Sequence, residues 1–180
     1  MEIYQPAEDS LMFAEFLNQY LKSNKIDSYL DIGTGSGILA KTASKIISPK
    51  KITASDINPE AIINLKQQPF KTIKSNLFKQ ISNSFDLITF NAPYLPLNPE
   101  EPKDSQVATT GGKRGDEISI KFLKQAKSHL NKNGKIFLLI SSLTPQNKIK
   151  KLWPYTIVVK KKAFMEELLI LEFQQNTNNP

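Results

Sequence analysis

Apolar and polar positions along the chain alternate between two periods. Residues 8–23 place Met12, Phe13, Phe16, Leu17, Tyr20 and Leu21 at helical spacing. Pro6 suits a first helical position, and Glu8 and Asp9 favour a helix N-terminus. A short buried strand follows at 28–32 (SYLDI), then the glycine-rich run GTGSG. Ile38, Leu39, Thr42, Ile46 and Ile47 predict a helix over 37–47 that stops before Pro49. A second strand is predicted at 51–55, ending at Asp56. Asn58 as N-cap and Pro59 at the first turn predict a helix over 59–68.

A weak strand is expected at 71–74 and a stronger one at 85–90 (FDLITF). A long loop then runs from Asn91 to Gly115 and holds four prolines, Pro93, Pro96, Pro99 and Pro102. Asp116 is expected to cap a helix reaching about Asn131, with His129 near its C-terminal end. Asn133 and Gly134 turn into a buried strand at 135–141. A short helix near 146–151 and an antiparallel pair at 155–161 and 167–173 close the pattern. Strands alternating with helices imply a mostly parallel sheet covered on both faces. Ligands of such sheets bind beyond the carboxyl ends of the strands. The loops at 31–37, 56–58, 75–78 and 91–97 all follow strands, so they should meet at one crevice. The reading is one domain over 1–175 with a frayed tail at 176–180.

Composition removes several alternatives. A chain of 180 residues can bury roughly 70% of its unfolded surface. It has no cysteine, so thiolate metal sites, disulfides and cysteine nucleophiles are excluded. With one histidine, His129, a metal centre or catalytic triad would have a single imidazole to draw on. No apolar run reaches membrane-spanning length, and the start lacks the features of a secretion signal. A cytoplasmic protein is the default expectation. The net charge of +7 comes from 24 basic and 17 acidic residues, with Arg114 the sole arginine. Surplus lysine suits solubility as well as an acidic partner. The cluster of Lys148, Lys150, Lys151, Lys160, Lys161 and Lys162 reads as a solvated face before it reads as a binding patch.

Five short segments carry candidate chemistry. Asp31-Ile-Gly33-Thr-Gly35-Ser-Gly37 follows the first strand. Glycines allow a sharp turn close to a ligand. A dinucleotide fingerprint would place its last glycine at 38, where this chain has Ile38. Asp56 ends the next strand, where a carboxylate can accept hydrogen bonds from both hydroxyls of a ribose. Asn76-Leu77 follows the third strand; alone it reads as an ordinary turn. Asn91-Ala92-Pro93-Tyr94 directly follows the FDLITF strand. An acceptor on Asn91 and the Ala92 carbonyl can each take one N–H of a planar NH2 group. Pro93 restricts Ala92 to extended backbone, and Tyr94 offers a flat face. The fifth segment is Tyr4-Gln-Pro6-Ala-Glu8-Asp9-Ser10.

Together these segments resemble the class I S-adenosylmethionine-dependent methyltransferases of the HemK-like group. The glycine run is similar to their motif I, and Asn91–Tyr94 to their (Asp/Asn/Ser)-Pro-Pro-(Tyr/Phe) motif IV. The opening segment resembles their Tyr-x-Pro-Ala-Glu-Asp-(Ser/Thr) signature. The likeness is greatest to the archaeal and eukaryotic release-factor glutamine methyltransferases. It extends from Tyr4 through the glycine-rich segment Gly111–Gly115 to the strand at 135–141. Two positions depart from the pattern: Ala92 stands where proline is usual, and Asn76 where an aspartate is usual.

The resemblance implies a Rossmann-like α/β fold with a mostly parallel seven-stranded sheet, an antiparallel C-terminal strand and helices on both faces. It implies S-adenosylmethionine as cofactor, held by Ser10, Asp31, Gly33, Gly35, Gly37, Asp56, Ile57, Asn76, Leu77 and Asn91. Catalysis would rest on Asn91, Ala92, Pro93 and Tyr94, with no metal. The implied reaction is methylation of a glutamine side-chain nitrogen in the Gly-Gly-Gln loop of a class I release factor. A small zinc-binding activator subunit is implied on an exposed sheet edge, and the weak strand at 71–74 is the candidate edge. The rivals are N6-adenine methylation of DNA or RNA, protein lysine methylation, and a non-catalytic cofactor-binding module. No appended recognition domain or aromatic-rich basic stretch supports direct nucleic-acid binding.

Overall fold

The computed structural model describes residues 7–100, 102, 106, 109–163 and 165–175. Tyr4, Gln5 and Pro6 of the opening segment and the tail 176–180 lie outside the described residues. Seven strands, β1 (Tyr29–Ile32), β2 (Ile52–Asp56), β3 (Lys71–Lys74), β4 (Phe85–Asn91), β5 (Leu130–Ser141), β6 (Thr156–Ala163) and β7 (Glu166–Gln174), form one sheet in the order β3-β2-β1-β4-β5-β7-β6. β3, β2, β1, β4 and β5 pair in parallel. β7 runs antiparallel to both β5 and β6. The strand order reverses between β1 and β4, which opens a crevice beyond their carboxyl ends.

The described helices are α1 (Glu8–Ser23), α2 (Ile38–Ala43), α3 (Pro59–Asn64), α4 (Glu117–Ala126) and α5 (Asn147–Leu152). The apolar run of β5 is buried on both faces, as a central strand must be. Phe137 and Leu139 join the core beneath α1 and α2, whereas Ile136, Leu138 and Ile140 join the core beneath α4 and α5. α1 buries Met12, Phe13, Leu17 and Leu21. Phe16 and Tyr20 each meet the Phe137 ring edge-on at 4.8 Å. That anchorage brings the first turn of α1 to the crevice.

Several boundaries differ from the sequence expectation. α2 ends at Ala43 rather than 47; Ser44 turns its hydroxyl back onto the Lys41 carbonyl at 2.8 Å, competing with the helix ladder. α3 ends at Asn64 rather than 68, because Lys66 N–H bonds the Ile63 carbonyl in a tighter turn. α4 ends at Ala126 and a 3-10 turn spans Lys127–His129, because Leu130 already pairs with Phe85 of β4. The Asn133-Gly134 turn expected before this strand becomes an irregularity inside β5, with Asn133 at φ +65°.

His129 does not cap a helix. It stacks on Phe78 at 4.6 Å and its Nδ1 meets the Asn83 carbonyl at 2.9 Å. Asp116 occupies the N-cap position of α4 but makes no capping bond. It is fully buried and takes Arg114 at 3.4 Å instead. β3 is one sheet edge and β6 the other. On β6, Lys160 and Lys161 pair with Glu167 and Glu8, so the basic run is partly neutralised by its own fold. Among the described residues, no helix is long and apolar enough to cross a membrane.

Candidate active site

The crevice at the β1/β4 switch has a volume of about 510 Å³, within the usual size of a small-molecule site. Its floor starts at Asp31. Period-two geometry puts Tyr29 and Asp31 on one face of β1. Parallel register places Thr89 of β4 directly beside Asp31. Thr89 donates to Asp31 Oδ1 at 2.9 Å, and Thr34 donates to Oδ2 at 2.7 Å. Tyr29 completes the chain through a 2.6 Å bond to Thr89. Burial pushes the Asp31 carboxyl up to about 7, the three hydrogen bonds from Thr34, Thr89 and Ala40 hold it back, and nearby Asp56 adds to the rise.

The loop after β1 turns through Gly33, Gly35 and Gly37 at φ +63°, +52° and +78°. A side chain there would be strained. At Gly37 an added Cβ would also lie 2.5 Å from a Leu65 methyl. Asp56, at the end of β2, holds this loop by accepting Gly35 N–H on Oδ2 at 2.8 Å and Asn58 N–H on Oδ1 at 2.8 Å. Asn58 in turn caps α3 by accepting Glu60 N–H at 3.0 Å. Burial raises the Asp56 carboxyl and its backbone hydrogen bonds oppose that rise.

After β3, Leu77 sits at φ +50°, a conformation rarely adopted by a branched side chain. Ser75 donates to the Leu77 carbonyl at 2.7 Å and accepts Gln80 N–H at 3.1 Å, which pins the turn. These bonds hold Leu77 in its strained conformation, in the crevice wall with Ile57 and Asn76.

Asn91 is the last residue of β4. Its Nδ2 donates to Ser10 Oγ at 3.0 Å. Its Oδ1 is buried and, among the described residues, has no hydrogen-bond partner. Unsatisfied buried acceptors are rare and costly. Tyr94 reaches Asp9 at 3.4 Å through its hydroxyl. Within the loop, the glycine-rich segment is hydrogen-bonded to the residues that directly follow this tetrapeptide. Gly111 N–H bonds the Leu95 carbonyl at 2.8 Å, and Leu97 N–H bonds Gly112 at 2.9 Å.

Ser10, Asp31, Gly33, Gly35, Asp56, Ile57, Asn76, Leu77, Asn91, Ala92, Pro93 and Tyr94 therefore line one crevice. Gly37 does not; it stands behind the loop, against Leu65. The crevice also includes Asp9, Thr34, Thr109, Thr110, Ile118 and Lys121, which the sequence did not single out as ligands. Asp9 was legible as a helix-start acid and as part of the opening signature segment, but not as a residue of the crevice. Ile118 and Lys121 are three apart on α4, a face that periodicity alone cannot aim at a site.

The donor set fits an adenosyl cofactor bearing positive charge. Two carboxyls, Asp31 and Asp56, face the glycine loop, apolar walls come from Ile57 and Leu77, and an orphaned acceptor waits at Asn91. The family model described as Methyltransferase small domain matches residues 12–166. A candidate protein N5-glutamine methyltransferase of Methanocaldococcus jannaschii is 36% identical, over 94% of this chain and 90% of its own. The release factor glutamine methyltransferase of Lactococcus lactis is 33% identical over 70% of this chain, and the chain spans 52% of that longer relative. Among solved structures, the ribosomal protein L11 methylase of Lactobacillus delbrueckii shares the fold with a TM-score of 0.68 at 22% identity, covering 96% of this chain and 82% of its own.

Proposed function

This chain belongs to the methyltransferase small domain family, and from that premise we propose that it methylates the side-chain nitrogen of a glutamine in a protein, with S-adenosylmethionine as donor. The acceptor on this reading is the Gly-Gly-Gln loop of a class I release factor. The names of its relatives in Methanocaldococcus jannaschii and Lactococcus lactis support it. The observation that carries it is the buried Oδ1 of Asn91, without a hydrogen-bond partner among the described residues, next to Ala92 in the chain.

S-adenosylmethionine supplies an electrophilic methyl on a sulfonium sulfur. The rest falls to the chain's own residues. Asp56 would hold ribose hydroxyls with the lone pairs its backbone bonds leave over. Ile57 and Leu77 would offer an adenine ring apolar surface, and Asn76 would offer it a polar group. Asp31, once ionised, favours the cationic donor.

A glutamine amide nitrogen is a poor nucleophile because its lone pair is delocalised into the carbonyl. Asn91 Oδ1 and the Ala92 carbonyl each accept one of its N–H groups. Tyr94 lies flat against the planar amide, and Pro93 stiffens the tetrapeptide. As positive charge grows on the nitrogen both hydrogen bonds strengthen, so the gain is specific to the transition state. Positioning supplies the remainder. The N–C bond forms as the methyl–sulfur bond breaks, leaving a neutral thioether, and the proton leaves late, to water, when the nitrogen has become acidic.

The exposed edge β3 suits a second subunit. An open edge presents unpaired backbone groups, and a small zinc-binding activator would cover it by strand addition. Co-expression with such a subunit is expected to raise soluble yield and cofactor affinity; a stable, fully active lone chain argues against it.

Labelled methyl transfer tests the main reading. Label should enter a class I release factor, and should be absent when its loop glutamine is replaced by alanine. Label in adenine of DNA or RNA, or in lysine, would redirect the assignment.

A further inference from the structure

The crevice contains a carboxylate that the reaction does not use directly, Asp9. It is buried, as is Ser10 beside it. Ser10 Oγ donates to Asp9 Oδ1 at 3.1 Å and accepts from Asn91 Nδ2 at 3.0 Å. The other Asp9 oxygen meets the Tyr94 hydroxyl at 3.4 Å.

The polarity of this chain follows from the chemistry of its members. A hydroxyl has one proton to give, and a carboxylate can only accept. With the Ser10 proton committed to Asp9, Ser10 can offer Asn91 nothing but a lone pair. The group facing Ser10 must then be the Asn91 NH2. The Asn91 oxygen is forced to the opposite side, where it has no partner among the described residues. Reversed, the carboxamide would turn two donors toward the methyl acceptor, which also presents N–H donors. That arrangement cannot hold an amide substrate.

We infer that Asp9 is a positioning residue: through the Ser10 hydroxyl it fixes the orientation of the Asn91 carboxamide so that Oδ1, not Nδ2, faces the methyl acceptor. The same carboxylate steadies Tyr94, so one group on α1 holds both ends of the Asn91–Tyr94 segment. This also explains why the first turn of α1 is packed against the end of β4. The part concerning substrate rests on the glutamine-methylation reading; the orientation itself does not.

The test separates the two. Side-chain amide NMR of the 15N-labelled protein, assigned with Asn91→Ala, reads the orientation without any substrate. One Asn91 Nδ2 proton should be protected from exchange in the parent chain, exposed in Ser10→Ala, and protected again in Ser10→Thr, which keeps the hydroxyl. Asp9→Asn should also lose the protection, because its amide can donate to Ser10 and release the serine proton toward Asn91. Steady-state kinetics with a release factor should show kcat reduced about tenfold or more in Ser10→Ala and Asp9→Asn, with KM for the release factor within roughly threefold. Ser10→Thr should recover most of the loss. Protection unchanged in both Ser10→Ala and Asp9→Asn would overturn the inference, as would a loss confined to KM. Protection that follows the hydroxyl while the parent chain fails to methylate the release factor would uphold the orientation and defeat the glutamine reading instead.

Discussion

Titration of Asp31 makes a demanding prediction. Its carboxyl lies fully inside the protein, and burial lifts it from the ordinary 3.8 to about 7. The folded state therefore keeps the proton over a range in which the unfolded chain has lost it. Stability should be greatest below the unfolded value, fall as pH rises from about 4, and level off above about 7. The full gap corresponds to roughly 4 kcal/mol at about 1.4 kcal/mol per pH decade. Between about pH 5.5 and pH 8 the loss should be roughly 2 kcal/mol. Asp56 is raised in the same sense. Asp86 is lowered, although burial opposes this, by bonds from Asn131, Ser28 and the Asp27 backbone. Its contribution is fully present above the ordinary carboxylate value and is lost as pH falls below it, so it does not change between pH 5.5 and 8.

Urea denaturation at the two pH values, for the parent chain and for Asp31→Asn, isolates this carboxyl. The parent should lose stability toward pH 8 and the variant should show a much smaller slope. Cofactor binding should run the opposite way. If the bound state needs the ionised carboxylate, affinity should weaken about tenfold per pH unit below about 7. A parent chain whose stability is flat or rises from pH 5.5 to 8, or an unchanged slope in Asp31→Asn, would refute the reasoning.

Two further substitutions test how the crevice is built. Leu77→Gly should relieve the left-handed strain yet strip an apolar wall; thermal stability should hold while cofactor affinity measured by calorimetry drops about tenfold. Gly37→Ala should do the reverse, since its Cβ meets Leu65 outside the crevice. A stability loss of about 2 kcal/mol, or roughly 6 °C in melting temperature, is expected with cofactor affinity little changed. Affinity lost in proportion would restore Gly37 to the binding loop.

Much of the fold was legible because period and punctuation agreed. α1 begins at Glu8 as its acids suggest, Asn58-Pro59 starts α3, and the unbroken run Ile136–Ile140 becomes a strand buried on both faces. Helix C-termini were less legible. Ser44 and Leu130 end or pre-empt helices through a side-chain bond and a strand pairing that periodicity does not encode. Strand order near the C-terminus depended on which strand β7 would join, a tertiary choice. Within the site, the residues that the resemblance implied gathered in one crevice, except Gly37. Asp9 was read only within the opening signature, not as a crevice residue, because its contacts with Ser10 and Tyr94 form only once α1 is docked. Asp116 misled for a similar reason: its position is that of a cap, yet its carboxyl is buried against Arg114.

The central claim is that Asn91 Oδ1 holds the amide that receives the methyl group. Its most direct test is Asn91→Ala, with cofactor binding measured by calorimetry and methyl transfer to a release factor located by mass spectrometry. The account predicts that the cofactor still binds, while the mass added to the loop glutamine disappears. Retained methylation, or loss of cofactor binding together with it, would contradict the role assigned to Asn91.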